Sequence, residues 1–490
     1  MEVSQVTNAL EKAGFETHLV GGCVRDLVMN VKPKDWDVTT NAKPEQIIKL
    51  FDKTIYENTF GTVGVVVSRE TPDKDVIHET NEYMIIEVTP YRIEAKYSDS
   101  RHPDEVKFSN KLEDDLKRRD FTINAMALRS GLITDMFGGL KDIENKTLRT
   151  VGEPDERFRE DALRMLRTVR FIVQLDFSVS SEAIESIIKN SELIKKISEE
   201  RIRDEFVKII MSKNPATGIA MLHKFNLLKN IIPELEEGIG CEQLGEHIYD
   251  VWEHLLHALQ HAADKNWSLE IRLSALFHDI GKPRTRRLAE SAKKKYTFYG
   301  HEVVGARMAK KIMERLKFPK KEIDLVEKLV RNHMFFSDTE LITLSAVRRI
   351  ITKVGKDHIW ALMSVRECDR VGMKKKEAPY RLRKYFAMIE EALRDPISVG
   401  QLKINGEYMI KELDIKPGPR MGWILHALLE EVLEAPEKNT IEHLSVLVKS
   451  LNTLSDNELK ILGERGKEKK EELDEKEVTK LHEKHGVRKT

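Results

Sequence analysis

The rhythm of apolar and polar positions changes near residue 140. Before it, short apolar runs alternate with turn residues. His18-Leu19-Val20 stops at Gly21-Gly22, Asp35-Trp36-Asp37-Val38-Thr39-Thr40 sets β-branched residues behind two carboxylates, and Glu82 to Arg92 is mostly apolar around Glu87. Each of these reads as a β-strand. After residue 140, stretches such as Ser181 to Ile194 and Ile202 to Met211 repeat apolar residues at three- and four-residue spacing, the period of a helix with one buried face. The charge-rich stretch from Asp155 to Phe171 reads as helical too, which puts Asp161 and Arg164 on one face. From about Asp456 the chain is dense in Glu and Lys and reads as an exposed helix, frayed after Lys480. No internal repeat stands out. The pattern predicts an α+β chain, with a sheet-bearing first domain and a helical remainder.

Composition narrows this only a little. At 490 residues several domains are expected. Basic and acidic residues balance at 82 each, so no overall positive field announces a nucleic-acid partner. Any such surface must come from local clusters, of which the candidates are Arg284-Thr285-Arg286-Arg287, Lys293 to Lys295, Lys374 to Lys376 and Arg381 to Lys384. Cys23, Cys241 and Cys368 have no zinc-like or disulfide-like spacing and suit a reducing compartment. No signal peptide and no apolar run long enough to span a membrane is present, so a cytoplasmic protein is expected.

The chemistry begins at Gly21-Gly22-Cys23-Val24-Arg25-Asp26, followed by Asp35-Trp36-Asp37. Carboxylates two apart on a strand point to one side and repel each other unless a cation sits between them. Mg²⁺ prefers such carboxylates together with phosphate oxygens. The glycines let backbone N–H groups at a helix start approach a triphosphate, with Arg25 close behind. Alone, a pair of Asp residues is ordinary in loops and caps; the strand before the glycines and the strand after the pair make it specific. Arg118-Arg119 offers forked donors for phosphate, while Asp120 and Asn124 suit a ribose. Glu160-Asp161-Ala162-Leu163-Arg164 supplies a carboxylate and a guanidinium. Cytosine and adenine each present an exocyclic amine beside a ring-nitrogen acceptor, whereas guanine and uracil present a carbonyl beside an N–H. A fixed Asp161 and Arg164 therefore accept C and A and leave G and U mispaired.

A second set of ligand-type residues lies in the middle. His254, His278-Asp279, His301, His333 and Asp369 occur among apolar helical runs, and Leu276-Phe277-His278-Asp279-Ile280-Gly281-Lys282-Pro283 is continuous. Single histidines on apolar helices are ordinary core residues. Several imidazoles and carboxylates converging from separate helices suit a divalent transition metal or Mg²⁺.

These residues carry two resemblances. The order strand, Gly-Gly turn, helix, Asp35-Trp36-Asp37, with Arg118-Arg119-Asp120-Phe121-Thr122-Ile123-Asn124-Ala125 and Glu160-Asp161…Arg164, resembles the class II (bacterial-type) tRNA nucleotidyltransferases and bacterial poly(A) polymerases. His254…His278-Asp279…Asp369 resembles the HD superfamily of metal-dependent phosphohydrolases, with His301 and His333 matching positions that allow a second metal in some members. The first resemblance implies a polymerase β-like mixed-sheet head at 1–140, a helical neck and body at 141–245 that selects the nucleotide, an HD domain at 246–375, a tRNA-binding tail at 376–455 and a charged end at 456–490. It implies Asp35, Asp37 and Glu87 as metal-binding and catalytic carboxylates for Mg²⁺. Gly21, Gly22, Arg25, Arg118, Arg119, Asp120, Asn124, Asp161 and Arg164 would hold CTP or ATP. The reaction implied is addition of CCA to a tRNA 3′ end. The HD resemblance implies a divalent metal at His254, His278, Asp279, His301, His333 and Asp369, with Lys282 near the phosphate of an RNA 3′-end or 2′,3′-cyclic phosphate. The segment around Pro417-Gly418-Pro419 and Met421-Gly422-Trp423 resembles the tail that holds the tRNA elbow. Alternatives within the class are CC-only or A-only addition and poly(A) synthesis; the stretch Arg92 to Pro103 stands in full where CC-only members differ. Outside the class stand an HD nucleotide phosphohydrolase with a degenerate head and a non-catalytic RNA-binding protein.

Overall fold

The alternating runs of the first third pair into one mixed seven-stranded sheet. In the computed structural model, residues 2–57, 61–68, 83–95, 105–243, 248–288, 296–334, 344–372, 379–393 and 399–484 are described. The strands are β1 Thr17–Val20, β2 Asp37–Thr40, β3 Thr54–Glu57, β4 Thr62–Ser68, β5 Tyr83–Pro90, β6 Arg92–Ala95, β7 Glu105–Phe108, β8 Met126–Arg129 and β9 Leu132–Asp135. The sheet order is β3-β4-β5-β2-β1-β8-β9, and β6 and β7 form a separate hairpin. β2 runs antiparallel to β1, with Val20 opposite Asp37, and parallel to β5, with Asp37 opposite Glu87. Val38, Val63, Val65, Ile86 and Val88 pack with Val3, Val6, Leu10 and Ile47 of the helices Glu2–Lys12 and Pro44–Leu50. By the two-residue alternation of strands, Asp37 and Glu87 point to the other face.

Two features differ from the sequence expectation. Asp35 is exposed in a bend before β2, which begins at Asp37, so the two carboxylates do not sit on one strand. The expected helix from Asp155 to Phe171 is broken: one helix runs Pro154–Glu160, another Leu163–Leu175, and Asp161 between them has φ −138° and ψ 103°. Asp161 and Arg164 therefore do not share a continuous helix face.

Most helices of the first unit share one large apolar cluster. Phe158, Leu166, Phe206, Ile219, Phe225, Leu255, Phe277, Ile312 and Val330 belong to a single apolar cluster. It lies within a unit of residues 1–333 with 364–374. The second unit comprises 334–363 and 375–490, with its own core around Ile404, Met409, Ile424, Leu428, Leu444, Val448 and Leu459. Its last helix, Asp456–Lys484, continues past Lys480 and is not simply exposed. A Cβ on Gly463 would stand 2.9 Å from Trp423 Cα, and one on Gly466 2.2 Å from the His426 carbonyl. The glycines therefore seat this helix backbone to backbone on the helix Pro419–Glu434.

Of the basic clusters, Arg284 pairs with Glu237 and Arg286 lies over the Tyr296 ring at 3.7 Å. Lys293 to Lys295, Lys374 to Lys376, the Arg381 side chain and 96–103 of the Arg92–Pro103 stretch lie outside the described residues. The three cysteines are buried and free. No helix among the described residues is long and apolar enough to cross a membrane.

Candidate active site and metal centre

β1 ends where the backbone must turn at once toward the helix Gly22–Val28. Gly21 makes that turn with φ 77°, and a Cβ there would meet Arg119 Nη1 at 3.0 Å and Asp37 Oδ2 at 3.1 Å. The same glycine thus provides both the left-handed turn and the space for the side chains beside it. Burial raises the Asp37 carboxyl above its usual range; Arg119 opposes this and Asp35 adds to it. Asp35 is close enough to Asp37 for its charge to be felt, while Glu87 is aligned with Asp37 by sheet register and exposed. The donor set, carboxylate oxygens with like-charge repulsion between two of them, suits a hard divalent cation.

The arginine pair is held by a residue the sequence reading passed over. Buried Asp115 accepts from Arg118 Nε at 3.0 Å and Nη2 at 2.6 Å, and from Arg119 Nη2 at 3.1 Å. Burial alone would raise its carboxyl, but Arg118 and Arg119 outweigh this and hold it below the ordinary range. The spacings of three and four on the helix Leu112–Lys117 and its cap were the available signal. Asp120 is also engaged within the protein. It accepts from the Phe121 amide, from Asn124 Nδ2 at 3.2 Å and from Arg167 Nε at 2.7 Å. Burial opposes ionisation there as well, yet Arg167 and Arg164 keep the carboxyl far below its usual range. Asn124 Oδ1 in turn accepts from Arg25 Nη1 at 2.9 Å, and Arg25 is paired with Asp26. Arg25, Arg167 and Arg170 all approach the Phe171 ring, and Arg170 donates to buried Glu205 at 2.9 Å.

Asp161 and Arg164 each have a different partner. Asp161 Oδ2 accepts from Arg201 Nη2 at 2.8 Å and Oδ1 from the Leu163 amide at 3.1 Å. Arg164 donates to Glu160 Oε2 at 2.7 Å and to the carbonyls of Arg157 and Arg118. Thus Asp37 stands beside Gly21 and Arg119 and in register with Glu87, while Arg25, Asn124 and Asp120 join one network. Arg167, Arg170, Arg201 and Glu205, which sequence reading missed, lie 35 to 47 residues from their acidic or basic partners, where no local pattern signals them.

The second centre is assembled from helix ends. His254 lies in the helix Val251–Asp264, His278 caps the helix Leu269–Phe277, His301 begins the helix His301–Arg315, His333 caps the helix Lys320–Asn332, and Asp369 ends the helix Ile359–Asp369. One group of ligand atoms comprises His254, His278, Asp279 and Asp369, and another Asp279, His301 and His333; within each, all atoms lie within 4.8 Å. Asp279 belongs to both: Oδ2 is 3.4 Å and 3.2 Å from Nε2 of His254 and His278, and Oδ1 is 3.2 Å and 3.6 Å from Nε2 of His301 and His333. Asp369 Oδ1 stands 3.6 Å from His278.

All four rings are turned the same way. Nδ1 of His278, His301 and His333 faces the carbonyl three residues earlier, Ala275, Phe298 and Val330, at 2.7 to 2.8 Å; His254 Nδ1 faces Val371 at 3.2 Å. Each Nδ1–H then donates to the backbone, which turns each Nε2 inward, the arrangement of metal-binding imidazoles. Nε2 of His301 and His333 and Oδ1 of Asp279 are buried without a hydrogen bond, so they fit a cation that would satisfy them. Burial lowers the imidazoles of His254 and His333; at His278 the carboxylates of Asp279 and Asp369 outweigh burial and raise it to about 10. Lys282 is buried, 2.5 Å from Asp279 Oδ2 and 2.6 Å from Gln243 Oε1. Gly281 admits the next helix: a Cβ there would lie 2.4 Å from the His301 carbonyl and 2.6 Å from the Gly305 amide.

Three family models match in series: the poly A polymerase head domain over 17–149, the probable RNA and SrmB-binding site of polymerase A over 176–239, and the HD domain over 251–378. A CCA-adding enzyme of Ligilactobacillus salivarius (strain UCC118) is 45% identical over 216 residues, 44% of this chain and 50% of that protein. Another from Enterococcus faecalis (strain ATCC 700802 / V583) is 44% identical over 244 residues, 50% of this chain and 57% of that protein. The chain thus spans about half the length of the curated relatives it matches. Among solved structures, the Bacillus stearothermophilus CCA-adding enzyme in complex with CTP shares 26% identity at a TM-score of 0.58, covering 92% of this chain and 97% of that one. A CCA-adding enzyme in its apo form II, at 19% identity and TM-score 0.52, shares the fold. A poly A polymerase head, an RNA-binding segment and an HD domain are thus matched in this order along a chain that shares the fold of CCA-adding enzymes.

Proposed function

We propose that the chain adds CCA to tRNA 3′ ends from CTP and ATP without a nucleic-acid template. The observation that carries the reading is the register Val20–Asp37–Glu87. It puts Glu87 in register with Asp37 on one sheet face, and the Asp37 carboxylate lies against the Gly21 turn and Arg119. In the reaction the oxygen of the RNA 3′-hydroxyl bonds to the α-phosphorus while the bond to the β-phosphate oxygen breaks and pyrophosphate leaves. Asp35, Asp37 and Glu87 would hold Mg²⁺, which when bound neutralises charge on the phosphates and acidifies the hydroxyl. Glu87, exposed and in register with Asp37, would help take up the hydroxyl proton. Gly21 and Gly22 leave the helix start open to phosphate, and Arg118 and Arg119, steadied by Asp115, present forked donors to it. Asp161 and Arg164 would read the base.

A second activity is favoured by the buried, unsatisfied ligand atoms of the HD centre. His254, His278, Asp279 and Asp369 would hold one divalent ion, and Asp279, His301 and His333 another. Such ions supply an activated water for hydrolysis of a phosphate ester, here a terminal or 2′,3′-cyclic phosphate at an RNA 3′ end. Lys282 is held by Asp279 and Gln243 at the edge of the set, where an ammonium attracts phosphate.

The test is incorporation of each labelled nucleotide into tRNA ending at the discriminator base, at +C and at +CC, resolved to single nucleotides. CTP should extend the first two and ATP the third, after which growth stops. A single productive step would make this a partial adder, and unlimited A-tails would make it a poly(A) polymerase.

A further inference from the structure

We propose that Arg201 is a specificity-determining positioning residue, holding the Asp161 carboxylate at the place from which it discriminates C and A from U and G. The inference rests on the reading of Asp161 and Arg164 as the base-selecting pair. Asp161 lies in the break between two helices, where its backbone is extended and no helical turn constrains the side chain. Two contacts fix it instead: the Leu163 amide on Oδ1 at 3.1 Å and Arg201 Nη2 on Oδ2 at 2.8 Å. Arg201 comes from the helix Glu199–Ile210, forty residues on, so this contact is tertiary.

Arg164 does not serve this purpose. Three of its five N–H donors are taken by Glu160 and by the carbonyls of Arg157 and Arg118, which leaves two for a base. Each half of the pair is thus locked by a separate partner. An ionised carboxylate has about four acceptor positions, and two of them are used here, which leaves acceptors for an exocyclic amine. A second observation points to a ligand. Arg201 Nη1, on the same guanidinium, is a buried donor with no hydrogen bond. Without Arg201, Asp161 keeps only the Leu163 amide. It is then free to rotate, and the acceptor no longer stands at a fixed distance from the Arg164 donors. Discrimination by mispairing requires that fixed spacing, because a mobile carboxylate can swing away from a uracil or guanine carbonyl.

The experiment measures kcat and KM for all four nucleotides on tRNA ending at the discriminator base and at +CC, with the full chain and Arg201→Gln, Arg201→Lys and Asp161→Ala. In Arg201→Gln the CTP/UTP and ATP/GTP ratios of kcat/KM should fall by about ten- to a hundredfold, the scale of one lost hydrogen bond to a charged group. Arg201→Lys, which keeps the charge but not the fork, should recover part of the ratio. A structural role alone would lower the rate for every nucleotide and leave the ratios intact, and that result would overturn the proposal. If Arg201→Gln does not fold, the ratio in Arg201→Lys decides: unchanged selectivity refutes it. The underlying reading fails separately, since it falls if Asp161→Ala keeps full selectivity. If Asp161→Ala relaxes selection and Arg201→Gln does not, only the role of Arg201 is refuted.

Discussion

Glycine at position 21 is required twice, by its φ of 77° and by the two charged groups at 3.0 and 3.1 Å from where a Cβ would stand. Gly21→Ala should therefore fold but displace Asp37 or Arg119. We expect nucleotide incorporation to drop by at least about tenfold, since a misplacement near 1 Å at a reacting centre costs up to about a hundredfold. Steady-state rates with CTP, beside a melting curve, would check this; an unaltered rate would show that the close approach is not used. Asp115 offers a test through pH. Its folded carboxyl is held below the ordinary value by Arg118 and Arg119 against the effect of burial. Its contribution is thus present above the unfolded carboxylate pKa of about 3.9 and is lost as pH falls through the lower, folded value. Asp115→Asn should cost about 3–5 kcal/mol near neutral pH, the scale for breaking a buried ion pair. The gap to the parent protein should narrow as the pH falls below that range, as read from urea unfolding at several pH values.

Helix ends, rather than helix faces, carry the HD centre. His278 and His333 cap helices, His301 begins one and Asp369 ends one, and three of the rings are oriented by a carbonyl three residues back. That orientation is local, so the continuous run around His278-Asp279 announces it. Its relation to His301 depends on Gly281, where a Cβ would meet backbone atoms of His301 and Gly305 at 2.4 and 2.6 Å. Backbone does not yield as a side-chain tip does. Gly281→Ala is expected to cost about 1–3 kcal/mol by overpacking and to lower bound divalent metal, while nucleotide incorporation persists. Metal content per chain by elemental analysis is the measurement, and a full complement of metal in this variant would refute the packing argument. Between the helices Pro154–Glu160 and Leu163–Leu175 the same scale gave the clearest departure from sequence reading. Charges spaced as on one helix predicted Asp161 and Arg164 side by side, whereas the chain breaks at Asp161 and each turns to another partner.

At the scale of the whole molecule, the two centres use different residues of one unit and share none. Asp35→Ala with Asp37→Ala should abolish nucleotide incorporation and leave phosphate-ester hydrolysis intact; loss of both activities in a folded protein would refute two independent sites. Asp279→Ala should do the reverse. Mn²⁺ or Ni²⁺ should raise the melting temperature of the parent protein but not of this variant, because a ligand bound only by the folded state stabilises it by mass action, by about 2.7 kcal/mol at a hundred times Kd. An equal rise in the variant would show that the metal binds elsewhere.

What the sequence determined by itself is what contiguous residues spell out. The strand rhythm before residue 140, the helical rhythm after it, the glycine turn, the paired arginines and the His278-Asp279 run were all legible, because each depends on backbone period or on neighbours within four residues. Tertiary structure decided the rest. Glu87 reaches Asp37 only through sheet register, Arg167 reaches Asp120 across 47 positions, Arg201 reaches Asp161 across 40, and Asp279 meets His301 and His333 only once three helices have packed. The physical reason is common to all four. A local pattern fixes the direction in which a side chain leaves the backbone, but not what it meets. Its partner is set by how apolar faces close into a core, and in this chain that closure carries charges far apart in sequence into hydrogen-bonding distance.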